Sequence, residues 1–299
     1  MPNRLRVPAS SANLGPGFDA LGLALGCYLD CEFEQSGELS ITVTGRDSTH
    51  ISTSAANLIW RTAVDVAREA NVSLPPVRLR IHNDIPLGKG LGSSAAALVT
   101  GVILASRIAG LEWDRSRILQ EAARIEGHPD NVAACVMGSV VASAIDLSGK
   151  ARAVRLPVPS FVQVAVVVPD FPLPTHQARA VLPECYTRAD AIFNVQRAAL
   201  LIAALATGDS DSLPAALEDR MHQPYRECLV PGLSAILHLR EPGLLGCTLS
   251  GAGPSVLVFY RQGSNHVCEL VRQTFEQHGR SAEVMHPGID QHGYQLSSE

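Results

Sequence analysis

The chain has 299 residues, 46% of them hydrophobic and 18% charged, with 24 Lys and Arg against 29 Asp and Glu and a net charge of −5. This composition excludes a disordered chain, and the negative balance excludes binding nucleic acid through a general basic field. An anionic ligand therefore needs a local site, and at ~150 residues per domain the length allows two compact units.

The start holds Arg4 and Arg6 but no apolar run before Gly15 and Pro16, so no secretory signal is read there. Alternation at Leu39–Thr44 and Val77–Ile81 predicts two half-buried strands. Between them, Leu58, Ile59, Val64, Val66 and Ala67 recur near a 3.6-residue period and predict a helix over 57–70. Further helices are expected over 93–109, with a serine as N-cap, and over 115–125 behind Asp114. The stretch Leu156–Ser160, with Pro157 and Pro159, is the expected boundary between an N-terminal unit, 1–157, and a C-terminal unit, 158–299. The run Val162–Val168, stopped by Pro169, reads as a strand buried on both faces; helices follow over 189–206 and 264–277, with a strand at 255–260 between them. The strongly apolar run Val164–Val168 is far shorter than the ~20 residues of a membrane span. The seven cysteines form no C-x2-C pair and read as reduced thiols. A cytoplasmic α+β protein with no membrane or nucleic-acid partner is expected.

Residues 86–96 carry the first chemical signal: Pro86, Leu87, Gly88, Lys89, Gly90, Leu91, Gly92, Ser93, Ser94, Ala95 and Ala96. Glycines let the backbone approach a ligand closely, and the free N–H groups of a first helical turn favour an anion. The loop is neither a Walker A nor a dinucleotide fingerprint, because Lys89 precedes the last glycine. A plain glycine turn before a capped helix would account for the loop alone. The second serine, Ser94, is the expected Mg²⁺ ligand.

With two further segments, Pro8–Asp19 and Leu249–Ser255, the pattern resembles the small-metabolite kinases named for galactokinase, homoserine kinase, mevalonate kinase and phosphomevalonate kinase. The first segment, together with Glu126–Val132, Thr175–Pro183, Asn194–Arg197 and His222–Arg226, is similar to the homoserine kinases among them. That resemblance implies a lobe of the ribosomal-S5 type, a ferredoxin-like lobe and ATP with Mg²⁺ between them. It implies Ser94 and Glu126 on the metal, and Asn13, Asp19 and His128 on L-homoserine. Arg197 is expected on the substrate carboxylate, with Arg179 and Arg226 as further candidates, and Asp130 and Asn131 beside the reacting hydroxyl. A homodimer is the candidate assembly. The rivals are a kinase for mevalonate or another alcohol, which has no ammonium for Asp19 to meet, and a non-catalytic relative, which has no need of Ser94 or Glu126.

Overall fold

A computed structural model describes residues 2–298. The first part of the chain runs β1 (Asn3–Ala12), β2 (Leu21–Gln35), β3 (Ser40–Gly45), α1 (Leu58–Glu69), β4 (Val77–Asn83), α2 (Ser93–Ile108), α3 (Arg115–Glu126), α4 (Asp130–Met137), β5 (Val140–Ile145) and β6 (Ala151–Leu156). Strand β2 organises this part because it is long enough for two partnerships: Leu29–Gln35 pairs with β4, and Leu21–Leu23 pairs with β5. Strands β3 and β4 run parallel, with α1 as the crossover.

The predicted alternation of β4 is observed, every second residue from Val77 to Asn83 being buried. Strand β1 is buried almost continuously from Val7 onward, so period-2 reasoning had nothing to detect. Asn57 and Asp114 cap α1 and α3, accepting hydrogen bonds from Ile59 N and Arg117 N. The expected serine cap of α2 is not formed: Gly92, left-handed at φ 67°, holds the N-cap position. A side chain there would meet the Ser10 hydroxyl at 2.0 Å, so close packing on β1 takes the place of a cap. Both serine hydroxyls are thereby left uncommitted to capping.

The second part runs β7 (Val162–Pro169), α5 (Thr175–Ala180), α6 (Arg188–Thr207), α7 (Leu213–Ala216), α8 (Gln223–Arg226), α9 (Leu233–Leu237), β8 (Leu244–Leu249), β9 (Val256–Arg261), α10 (His266–Gln277) and β10 (Ala282–Met285). Its four strands lie antiparallel in the order β10-β7-β9-β8. Numbered within the unit this is 4-1-3-2, the ferredoxin-like order. Strand β7 is central and buried as expected. Helix α6 is long and apolar enough to cross a membrane by length and composition, and 22% of its apolar window is buried, through Leu201, Ala204 and Leu205 among others.

The chain then returns to the first sheet. Strand β11 (Gln295–Ser298) pairs with β1 over Asn3–Arg6, and Ile289 bridges Leu25. The first sheet thus takes strands from both sides of the expected 157/158 division. Four residues of β11 carry no hydrophobic period long enough to mark it.

Candidate active site

Three loops meet: the turn after β1, the glycine loop before α2 and the turn between β8 and β9. The turn after β1 places Asn13, Leu14 and Asp19 in the left-handed region, at φ 74°, 44° and 54°. Asn and Asp tolerate that region, whereas leucine is strained there. Leu14 is fully buried, so packing holds the turn. Asn13 joins two of the loops: its Oδ1 accepts from Asp19 N at 3.0 Å and its Nδ2 donates to Gly251 O at 2.9 Å. Ser250 Oγ bonds Gly90 O at 2.7 Å and Ser11 Oγ at 2.8 Å, drawing all three loops together.

The resulting cleft has a volume of about 290 Å³. Asn13, Asp19, Pro86, Gly88 to Ala95, Glu126, His128, Asp130, Asn131, Arg179 and Arg226 all line it. A larger hollow of about 700 Å³ beside Phe193 and Arg240 carries none of the three motifs. Chemistry rather than size selects the smaller one.

Two expectations are corrected. Arg197 does not line the cleft; it is held at 3.3 Å by Glu218 and stacks 4.0 Å from the Phe193 ring centroid. Leu87 and Ala96 are also outside it: Leu87 N is taken by Asp47 at 3.0 Å, and Ala96 is core. Gly90 lines the cleft as expected of a ligand loop, and it also lets the protein approach itself closely. A Cβ at Gly90 would lie 2.2 Å from Ser250 O and 2.7 Å from Gly253 O. Lys89 bridges the glycine loop to the second sheet through Pro169 O at 2.7 Å, and burial pushes its pKa down.

The charged groups fall into two sets. On one wall Asp19 and Arg179 form a bidentate pair at 2.7 and 3.2 Å. Arg226, almost wholly buried, stands with Arg179 within 5.6 Å of the Phe18 ring, and burial together with Arg179 lowers its pKa to about 10. At the base of the cleft, His128 Nδ1 lies 2.9 Å from Asp130, which raises the imidazole pKa. Glu126 has a raised pKa, chiefly through burial, with Asp130 adding to it. Glu126 and Ser94 both line the cleft and offer oxygen ligands of the kind a hard cation takes. Asp19, His128 and Asp130 also bring one ligand atom each within 4.8 Å of one another. That trio is already committed internally, Asp130 to His128 and to Asn131 N. Sequence reasoning missed two residues of the cleft wall: Phe18, which lies within the first motif but was given no role, and Leu173, which nothing local marks.

Residues 57–139 match the family model for the N-terminal domain of GHMP kinases, and residues 201–277 the model for their C-terminal domain. The chain belongs to the GHMP kinases. Within that family it is 64% identical to the homoserine kinase of Solibacter usitatus, over 98% of this chain and 96% of that protein. It is similar in structure to the homoserine kinase of Cytophaga hutchinsonii, with TM-score 0.87, 24% identity and coverage of 99% and 97%. A putative homoserine kinase from Listeria monocytogenes aligns with TM-score 0.78 at 32% identity, over 99% of this chain and 100% of that one. A GHMP kinase is an ATP-using enzyme, and the ferredoxin-like order of the second sheet belongs to that fold.

Proposed function

We propose that this chain transfers the γ-phosphoryl group of ATP to the side-chain hydroxyl of L-homoserine, forming O-phospho-L-homoserine and ADP for threonine synthesis. The observation that carries the reading is the cleft itself, which puts an anion-binding loop in the same hollow as the paired Asp19 carboxylate and Arg179 guanidinium, with Arg226 beside them. A zwitterionic amino acid needs opposite charges side by side, and charge-assisted hydrogen bonds of that kind are the strong ones. Asp19 is the partner for the substrate ammonium, and Arg179 and Arg226 face its carboxylate. A mevalonate site has no use for Asp19.

In the proposed mechanism the N–H groups of residues 90–94 and the first turn of α2 receive the phosphates. Ser94 and Glu126 would hold Mg²⁺, which neutralises charge on the phosphate oxygens. As the new O–P bond forms, the bond from the γ-phosphorus to the β,γ-bridging oxygen breaks, and the hydroxyl proton passes to a phosphate oxygen or solvent. Asp130 supports this by fixing His128 and Asn131, both already bonded to it. Phosphoryl transfer of this kind is positioning and charge stabilisation rather than covalent catalysis. Cytoplasmic residence and a homodimer complete the proposal, and sedimentation velocity decides the second.

ADP release with L-homoserine, mevalonate, L-threonine and galactose tests the reading. A kcat/KM for L-homoserine at least about tenfold above the others is expected; a preference for any other alcohol overturns it.

A further inference from the structure

Arg226 can use its guanidinium on a substrate only if its own geometry is fixed. Its Nε donates to Ala178 O at 3.0 Å, and Nη1 donates to Gly251 O at 3.1 Å and to His222 Nδ1 at 3.0 Å. Nη2 is the guanidinium nitrogen left without a protein partner among the described residues. His222 is fully buried, and its ring stacks on Phe18 with centroids 5.3 Å apart. Its Nε2 lies 2.8 Å from Gly15 O, in the strained turn that presents Asp19.

These partners decide the tautomer. Arginine can only donate and a carbonyl can only accept, so Nδ1 must be bare and Nε2 must carry the proton. Asp219 stands 3.5 Å from Nε2 but is already engaged. One oxygen accepts from Asn194 Nδ2 and Met221 N, the other from His222 N and Gln223 N.

We infer that His222 is a positioning residue for substrate recognition: as the neutral Nε2–H tautomer it clamps Arg226 to the Gly15 turn and aims Nη2 at the substrate carboxylate. The inference rests on the proposed reading of Arg226 as a carboxylate partner. It adds a residue that touches no substrate yet controls discrimination between an amino acid and the corresponding amino alcohol.

The test compares L-homoserine with 3-aminopropan-1-ol, which keeps the amine and hydroxyl but lacks the carboxylate. In His222→Phe, which keeps the ring stack, the preference for L-homoserine in kcat/KM should fall about tenfold or more, with KM for ATP within about twofold. His222→Gln, which retains a donor for Gly15 O, should fall less. Arg226→Met should lose the same preference. If Arg226→Met keeps it, the carboxylate reading of Arg226 fails; if Arg226→Met loses it and His222→Phe does not, the positioning role fails. A purely structural role would lower both substrates equally and would also overturn the inference. Should the variants not fold, ¹⁵N imidazole spectra of the intact protein still decide, since a bare Nε2 or an imidazolium at His222 at neutral pH overturns the clamp.

Discussion

At the scale of single residues, Glu126 and the arginines carry the clearest expectations. Burial holds the Glu126 carboxyl above the usual carboxylate range. Stability from that group is complete below the unfolded carboxyl's range and is lost as pH rises through the folded value, because ionising it in the fold is disfavoured. Glu126→Gln removes the buried charge, so in the metal-free protein its melting temperature should exceed wild type at pH 8, the gap closing near pH 4. The same substitution should lower kcat by about 10²-fold or more if the carboxylate serves the metal. Differential scanning calorimetry and steady-state kinetics read the two effects separately. The arginines divide by place: Arg179→Ala should raise KM for homoserine about tenfold or more, whereas Arg197→Ala should leave it within about twofold. An Arg197 effect equal to that of Arg179 would return Arg197 to the site.

At the scale of elements, the glycine loop is an internal joint as well as an anion cradle. Gly90 sits at φ 74° with its missing side chain filled by the carbonyls of Ser250 and Gly253. Gly90→Val forces backbone against backbone and should fail to give soluble, cooperatively unfolding protein. Gly88 also has positive φ, yet the nearest atom to an added Cβ is Pro172 Cβ at 3.4 Å. Gly88→Ala should therefore fold, losing about 1–2 kcal/mol to backbone strain. Lys89→Ala loses one hydrogen bond to Pro169 O and should keep nucleotide binding within about tenfold, or ~1.4 kcal/mol, by calorimetry. A folded Gly90→Val enzyme with normal nucleotide affinity would show that the close approach of these loops is dispensable.

At the scale of the whole molecule, β11 covers the β1 edge of the first sheet. Arg115 ties the return segment in place, donating to Val136 O, His292 O and Tyr294 O at 2.7, 2.9 and 3.0 Å. Tyr294 is buried, and its N–H bonds Cys135 O at 2.8 Å. Truncation after Met285 removes β11, bares the β1 edge, and leaves the Arg115 donors short of partners. Thermal unfolding should shift down by several degrees with increased aggregation. An unchanged melting temperature would mean that the return segment is passive.

The sequence by itself determined whatever is local or repeats a known order. The half-exposed strand β4, the cap Asp114, the buried run of β7 and the three motifs need no knowledge of distant neighbours. Amphipathic periods, capping side chains and motif spacing are written along the chain. The tertiary structure alone decided what each motif touches. Arg179 and Arg197 look alike in sequence, but only one faces the cleft, because Phe193 and Glu218 hold the other away from it. Gly90 reads as freedom for a ligand until Ser250, 160 residues later, fills its space. His222 gains its tautomer from Gly15 and Arg226, two partners that meet only when the second lobe packs on the turn after β1. Long-range packing and the direction of a buried hydrogen bond depend on which residues the fold makes neighbours, and no local pattern encodes that.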